Sequence, residues 1–201
     1  KFIAAVGEGE RVFYEFNNAQ RWPESMDPDD SISQGWKNRY REFLITVKDF
    51  IPTVPVTGGE SLDKLHYALK EILKNAYDAV VSFYDPAIGQ ELPSLGYKGV
   101  ITVAFSLEGD RLVIKVADNG MGAFAADSDR KRQLSSDNEH LYVYTGEGGK
   151  GNRYIDFFNQ LLLADSTLEI ANTPGAKTEA TVSIPLQSLQ LKPDVLRLGS
   201  N

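Results

Sequence analysis

The sequence predicts an α+β protein, a two-layer sandwich in which helices cover one face of a mixed, mostly antiparallel sheet. One long segment carries apolar residues at helical spacing, and two later pairs of segments alternate apolar and polar residues around short turns. Alternation of this kind is typical of strands with one face in the core. The order helix, strand pair, helix, strand pair therefore favours helices packed on one side of a sheet.

Residues 1–59 are expected to be an N-terminal extension that packs on the same core. Residues 1–16 are predicted to form two short strands around a turn at Gly7–Glu10, because β-prone residues flank two glycines. Residues 17–35 are rich in Asn, Asp, Pro and Gly and predict a loop. Residues 36–50 predict a helix that ends before Pro52.

The main domain is predicted to span residues 60–186, and 187–201 to be a C-terminal tail. Its first helix begins near Ser61, where apolar residues recur three and four positions apart. Residues 99–107 and 111–118 predict two strands joined by a turn, and residues 119–151 a long glycine-rich loop. A helix at 153–163 and strands at 166–173 and 178–186 complete the predicted order.

The composition excludes several functional classes. The 201 residues include no cysteine and two histidines, and the formal net charge is −7. Thiolate chemistry and cysteine-based metal sites are therefore excluded, and the acidic balance does not indicate nucleic-acid binding. No apolar run approaches the roughly 18 residues of a membrane span, so we expect a cytoplasmic protein without a membrane segment. Because the first residue is Lys1, we leave open that the chain is a fragment.

The long helix presents an acid, an amide and an acid on one face. Glu71, Asn75 and Asp78 point within about 60° of one another, opposite the apolar residues. Taken alone, this pattern is explained more simply by an ordinary solvated helix face.

A strand predicted to end at Asp118 carries this carboxylate on the same face as its apolar residues. Gly120 and Gly122 follow and allow the backbone to approach a ligand closely. A carboxylate at such a position can accept a hydrogen bond from an exocyclic amine. A simple Asp-Asn-Gly turn is the alternative interpretation.

A third motif, Gly146–Gly151, lies directly before the helix predicted at 153–163. Successive backbone N–H groups of a glycine-rich loop, together with a helix N-terminus, favour anion binding. The loop lacks the ending of a Walker motif and the preceding strand of a dinucleotide-binding fingerprint.

Together and in this order, the three motifs resemble those of the GHKL superfamily, which includes DNA gyrase, the 90-kilodalton heat-shock chaperones, histidine kinases and the mismatch-repair protein MutL. Residues 71–79 match E-x-x-x-N-A-x-D-A, residues 118–122 match D-x-G-x-G, and residues 146–151 match G-x-x-G-x-G. Thr178 lies where the family has its final threonine. The resemblance covers about residues 60–186 and implies the Bergerat ATP-binding fold.

The resemblance implies a role for each matching residue. Asn75 would hold the Mg²⁺ that bridges the phosphates of ATP, and Asp118 would accept from the adenine amino group. Thr178 would support the adenine end, and Glu71 would be the base that activates water. Residues 119–151 would form an ATP lid. The remaining expected ATP-binding residues are Asp78, Gly120, Met121, Gly122, Gly146, Gly148, Gly149, Lys150 and Gly151.

Three functions stay open at this point. We expect Mg²⁺-dependent binding of ATP and ADP, with slow hydrolysis that drives a conformational switch. The first alternative is the ATP-binding domain of a histidine kinase-like protein, which transfers phosphate to a partner or a further domain. The second is a nucleotide-gated interaction module without turnover. We also expect a protein partner or further domains of a longer chain.

Overall fold

The computed structural model describes residues 6–16, 29, 31–57, 60–82, 98–120, 165–173 and 177–192. These residues form an α+β arrangement of one five-stranded sheet and two α-helices. The predictions for residues 1–5, most of the loop at 17–30, the loop beyond residue 120, the helix at 153–163 and the end of the tail lie outside this part of the chain.

The strands pair in the order β1-β2-β3-β5-β4, and all four pairings are antiparallel. Their bounds are Arg11–Phe16 (β1), Gly99–Glu108 (β2), Arg111–Asp118 (β3), Thr167–Thr173 (β4) and Lys177–Pro185 (β5). The two strand pairs predicted from alternation are confirmed within a residue or two. Of the two strands predicted in residues 1–16, the structure has β1, and before it Val6 makes a single parallel bridge to Phe105.

The helices are α1, Ser31–Phe50, and α2, Glu60–Ser82. The prediction that the first helix begins at residue 36 is wrong, because Ser31 to Gly35 are already helical. Ser33 and Trp36 are both fully buried, and this burial outweighs the roughly 1 kcal/mol that a glycine costs within a helix. The helix ends at Phe50, as predicted, and Pro52 lies in a short 3-10 helix that follows.

Both helices lie on the same face of the sheet. Ile101, Val103 and Phe105 point to this face from β2 and are buried. The Phe105 ring lies 6.0 Å from that of Phe50 on α1. At the other end of β2, a Cβ added to Gly99 would lie 2.2 Å from Val80 Cγ1 on α2. The helices therefore form one layer and the sheet the other.

The segment before residue 60 contributes large aromatic side chains to the same core. Trp36, Phe43 and Phe50 on α1 are fully buried. The Phe43 ring lies 4.4 Å from the ring of Tyr77 on α2, and the Phe50 ring lies 5.1 Å from that of Phe13 on β1. Aromatic contacts of this kind add about 0.5–1.5 kcal/mol each beyond the area that they bury. The helix α1 is thus joined to α2 and β1 by a continuous aromatic cluster.

After β5 the chain returns to the segment that precedes α2. Val56 and Leu191 form an antiparallel bridge, and the N–H of Thr57 donates to the carbonyl of Gln190 at 2.6 Å. The N–H of Lys192 donates to the carbonyl of Pro55 at 3.2 Å. The beginning of the C-terminal tail is therefore held against the approach to α2.

Candidate functional site

The carboxylate of Asp118 lies at the end of β3, on the face that the helices cover. The register places Asp118 between Ile101 of β2 and Thr178 of β5. Leu112, Ile114 and Val116 precede it on the same face, which explains why an acidic side chain points toward the core. Asp118 is 6% exposed and Thr178 is 7% exposed. The second motif and the threonine, sixty residues apart in sequence, thus lie side by side.

Burial governs the charge of this carboxyl group. Removal from water raises the pKa of Asp118 to about 7, although the N–H of Gly120, which donates to Oδ1 at 2.8 Å, acts to lower it. A group with this pKa changes charge near neutral pH. A ligand that donates a hydrogen bond would favour the ionised form, because only that form accepts on both oxygens.

The first and second motifs meet where Gly120 touches α2. A Cβ added to Gly120 would lie 2.4 Å from the carbonyl carbon of Ala79 and 2.6 Å from the nitrogen of Val80. Only glycine permits such an approach to helix backbone. Asn75 lies one turn before Ala79, about 6 Å along the axis and on nearly the same face. We call the meeting point of Asn75, Ala79, Asp118, Gly120 and Thr178 the α2–β3 junction.

The acidic face of α2 is not an ordinary solvated helix face. Asp78 is only 1% exposed, and Asn75 is half-buried. Glu71 is also largely covered, and its Oε1 lies 3.1 Å from Nζ of Lys74. The side chains of an ordinary solvated helix face would be exposed, so this burial distinguishes the face from the alternative that the sequence left open.

The helix α1 packs against α2 through Tyr40. Its ring lies 5.4 Å from that of Tyr77. The pKa of Tyr40 is raised to about 12, mainly by burial and further by the carboxylates of Asp78 and Glu71. The N-terminal segment therefore brings the Tyr40 hydroxyl within electrostatic range of two carboxylates of the first motif.

Three residues near the site did not emerge from sequence reasoning. Asn119 accepts from the N–H of Val100 at 2.8 Å and donates to the carbonyl of Lys98 at 2.7 Å, which fixes the end of β3 against the start of β2. Lys74 pairs with Glu71, a contact that the three-residue spacing could have suggested. The position of Tyr40 depends on how α1 packs, for which the sequence has no local signal.

The other predicted ligand-binding residues lie outside the described part of the chain. They are Met121, Gly122, Gly146, Gly148, Gly149, Lys150 and Gly151.

Within the described ranges, no group of three or more His, Asp or Glu side chains is arranged to hold a metal ion. Neither α1 nor α2, the helices of those ranges, is both long and apolar enough to cross a membrane.

A comparison with models of known protein families finds no match, and a comparison with curated protein sequences finds none either.

Proposed function

We propose that this chain binds Mg²⁺-ATP at the α2–β3 junction, in a fold of the Bergerat type, and hydrolyses it slowly to drive a conformational switch. The observation that carries the proposal is the buried carboxylate of Asp118, which lies beside Thr178 and next to the contact between Gly120 and α2. The described residues offer Asp118 no charged partner. Burial of an unpaired carboxyl group is costly, and such groups are frequent at functional sites.

The chemistry of Asp118 suits recognition of adenine. Its Oδ1 is bonded to the N–H of Gly120, and Oδ2 accepts no hydrogen bond from the described residues. The exocyclic amine of adenine can donate to Oδ2. Because the carboxylate is buried, a base without this amine would leave it unpaired, which gives strong discrimination.

The residues of α2 suit the phosphate end of the same ligand. Mg²⁺ bound to ATP keeps most of its ligands as water and phosphate oxygens, so a single amide oxygen from Asn75 suffices on the protein side. Glu71, one turn earlier on the same face, would accept the proton of the attacking water. The phosphate-binding loop of the proposal, Gly146–Gly151, comes from the sequence alone.

Titration calorimetry with Mg²⁺-ATP tests the proposal. The variants are Asp118→Asn and, as a matched control, Asp110→Asn, which makes the same change at an exposed position in the turn between β2 and β3. We expect Asp118→Asn to weaken binding at least about 100-fold, since a carboxylate that accepts becomes an amide that also donates. Asp110→Asn should bind like wild type. Equal binding by wild type and Asp118→Asn, or no binding by folded wild type, would refute the adenine assignment.

Phosphate release separates the three functions. Steady production of phosphate from ATP by the isolated chain supports hydrolysis. Transfer of radiolabel to another protein would instead support the kinase-like alternative, and tight binding without either would support a nucleotide-gated module.

A further inference from the structure

The ion pair between Glu71 and Lys74 is unusually well covered for two charged residues on one helix turn. Nζ of Lys74 lies 3.1 Å from Oε1 of Glu71, and the two side chains are 15% and 20% exposed. Exposed pairs of this spacing are mobile and contribute little. Here the surrounding protein restricts both side chains and reduces screening by solvent, so the pair is suited to holding one geometry.

Tyr40 on α1 lies within electrostatic range of Glu71, whose carboxylate contributes to the raised pKa of Tyr40. The Tyr40 ring is held by Tyr77 at 5.4 Å and by Phe43 at 6.4 Å. The direct contact with Glu71 is made by Lys74, which engages only Oε1.

We propose that Lys74 is a positioning residue for Glu71: its ammonium group fixes Oε1 and thereby directs Oε2 at the water that attacks ATP. The inference rests on the proposed hydrolysis. In that step the water oxygen bonds to the γ-phosphorus, and the bond from phosphorus to the bridging oxygen breaks with its electron pair going to ADP. The proton of the water passes to Oε2 of Glu71 and from there to solvent. A base held in one orientation accepts this proton more efficiently than one that rotates freely.

The test is a steady-state measurement of phosphate release with three variants. Lys74→Gln should lower kcat about 10- to 100-fold and leave KM for ATP within about twofold, because only the orientation of the base changes. Lys74→Arg should recover most of the turnover, since a guanidinium group can bond the same carboxylate. The control is Lys70→Gln, which removes the same charge from an exposed position on the same helix and should behave like wild type. Thermal unfolding of each variant shows whether it is folded.

Each other outcome is decisive. Normal turnover by Lys74→Gln would show an ordinary helix ion pair and overturn this inference alone. A raised KM with unchanged kcat would show that Lys74 binds ATP rather than positions the base, and would also overturn it. Failure of Lys74→Arg to recover activity, with a lowered unfolding temperature in both variants, would show a structural role. Folded wild type that releases no phosphate would overturn the proposed hydrolysis, and this inference with it.

Discussion

Replacing Gly120 by alanine would place a methyl group within the backbone of α2. The added Cβ would lie 2.4 Å from the carbonyl carbon and 2.6 Å from the carbonyl oxygen of Ala79, and 2.6 Å from the nitrogen of Val80. All three are helix backbone atoms, so no flexible side chain can move aside. The φ angle of Gly120 is not in the left-handed region, and the cost is therefore steric.

The size of the effect follows from these contacts. Overpacking costs about 1–3 kcal/mol, and contact with backbone favours the upper end. Alanine regains up to about 1 kcal/mol by reducing the freedom of the unfolded chain. We expect a net loss of about 2 kcal/mol, which lowers the unfolding temperature of a domain of this size by about 4–8 °C.

Urea and thermal unfolding measure this loss, and calorimetry measures the accompanying loss of ATP binding. The comparison variant is Gly109→Ala, at the turn between β2 and β3. There φ is +61°, and apart from the two neighbouring residues no atom of the described chain lies within 4 Å of the added Cβ. Stability should therefore fall by about 1–2 kcal/mol for conformational reasons, while ATP binding is kept. If Gly120→Ala has the stability and affinity of wild type, α2 does not rest on Gly120 and the α2–β3 junction is wrong.

Three further predictions concern single side chains. Because burial raises the pKa of Asp118 to about 7, the folded state holds an extra proton between about pH 4 and pH 7, and stability falls as pH rises through that window by up to about 4 kcal/mol. Asp118→Asn removes this pH dependence. The unfolding free energy of the variant minus that of wild type should therefore increase from pH 4 to pH 7 and then stay level. Profiles of unfolding free energy against pH that run parallel for the two proteins would contradict the burial argument. Glu71→Ala should keep ATP binding by calorimetry and lower phosphate release about 10²- to 10⁴-fold; persistent turnover would exclude it as the base. Tyr77→Phe should stabilise the protein by up to about 1 kcal/mol in urea unfolding, because the Tyr77 hydroxyl is buried and has no hydrogen-bond partner among the described residues; a clear loss of stability would reveal a partner.

The elements that could be predicted are those with a local pattern. The helix α2 and the strands β2 and β3 follow from apolar spacing, since their buried faces repeat with the period of the element. The side of β3 on which Asp118 lies follows from the alternation of successive side chains between the two faces of a strand. Helical spacing likewise placed Glu71, Asn75 and Asp78 on one face.

What the sequence could not supply depends on tertiary contacts. The first turn of α1 forms despite Gly35, because Ser33 and Trp36 are buried by other parts of the chain. The position of Thr178 opposite Asp118 requires the register between β3 and β5. The raised pKa of Asp118 requires its burial, which no pattern along the chain specifies.

Comparison of ATP with inosine triphosphate tests the central claim most directly. In inosine an oxygen replaces the exocyclic amine of adenine, and the adjacent ring nitrogen N1 carries a hydrogen instead of accepting one. If Asp118 accepts a hydrogen bond from that amine, titration calorimetry on the wild-type chain should show binding of Mg²⁺-ATP and at least about 100-fold weaker binding of the inosine analogue. Equal affinity for the two nucleotides would mean that the carboxylate at the end of β3 does not recognise the base.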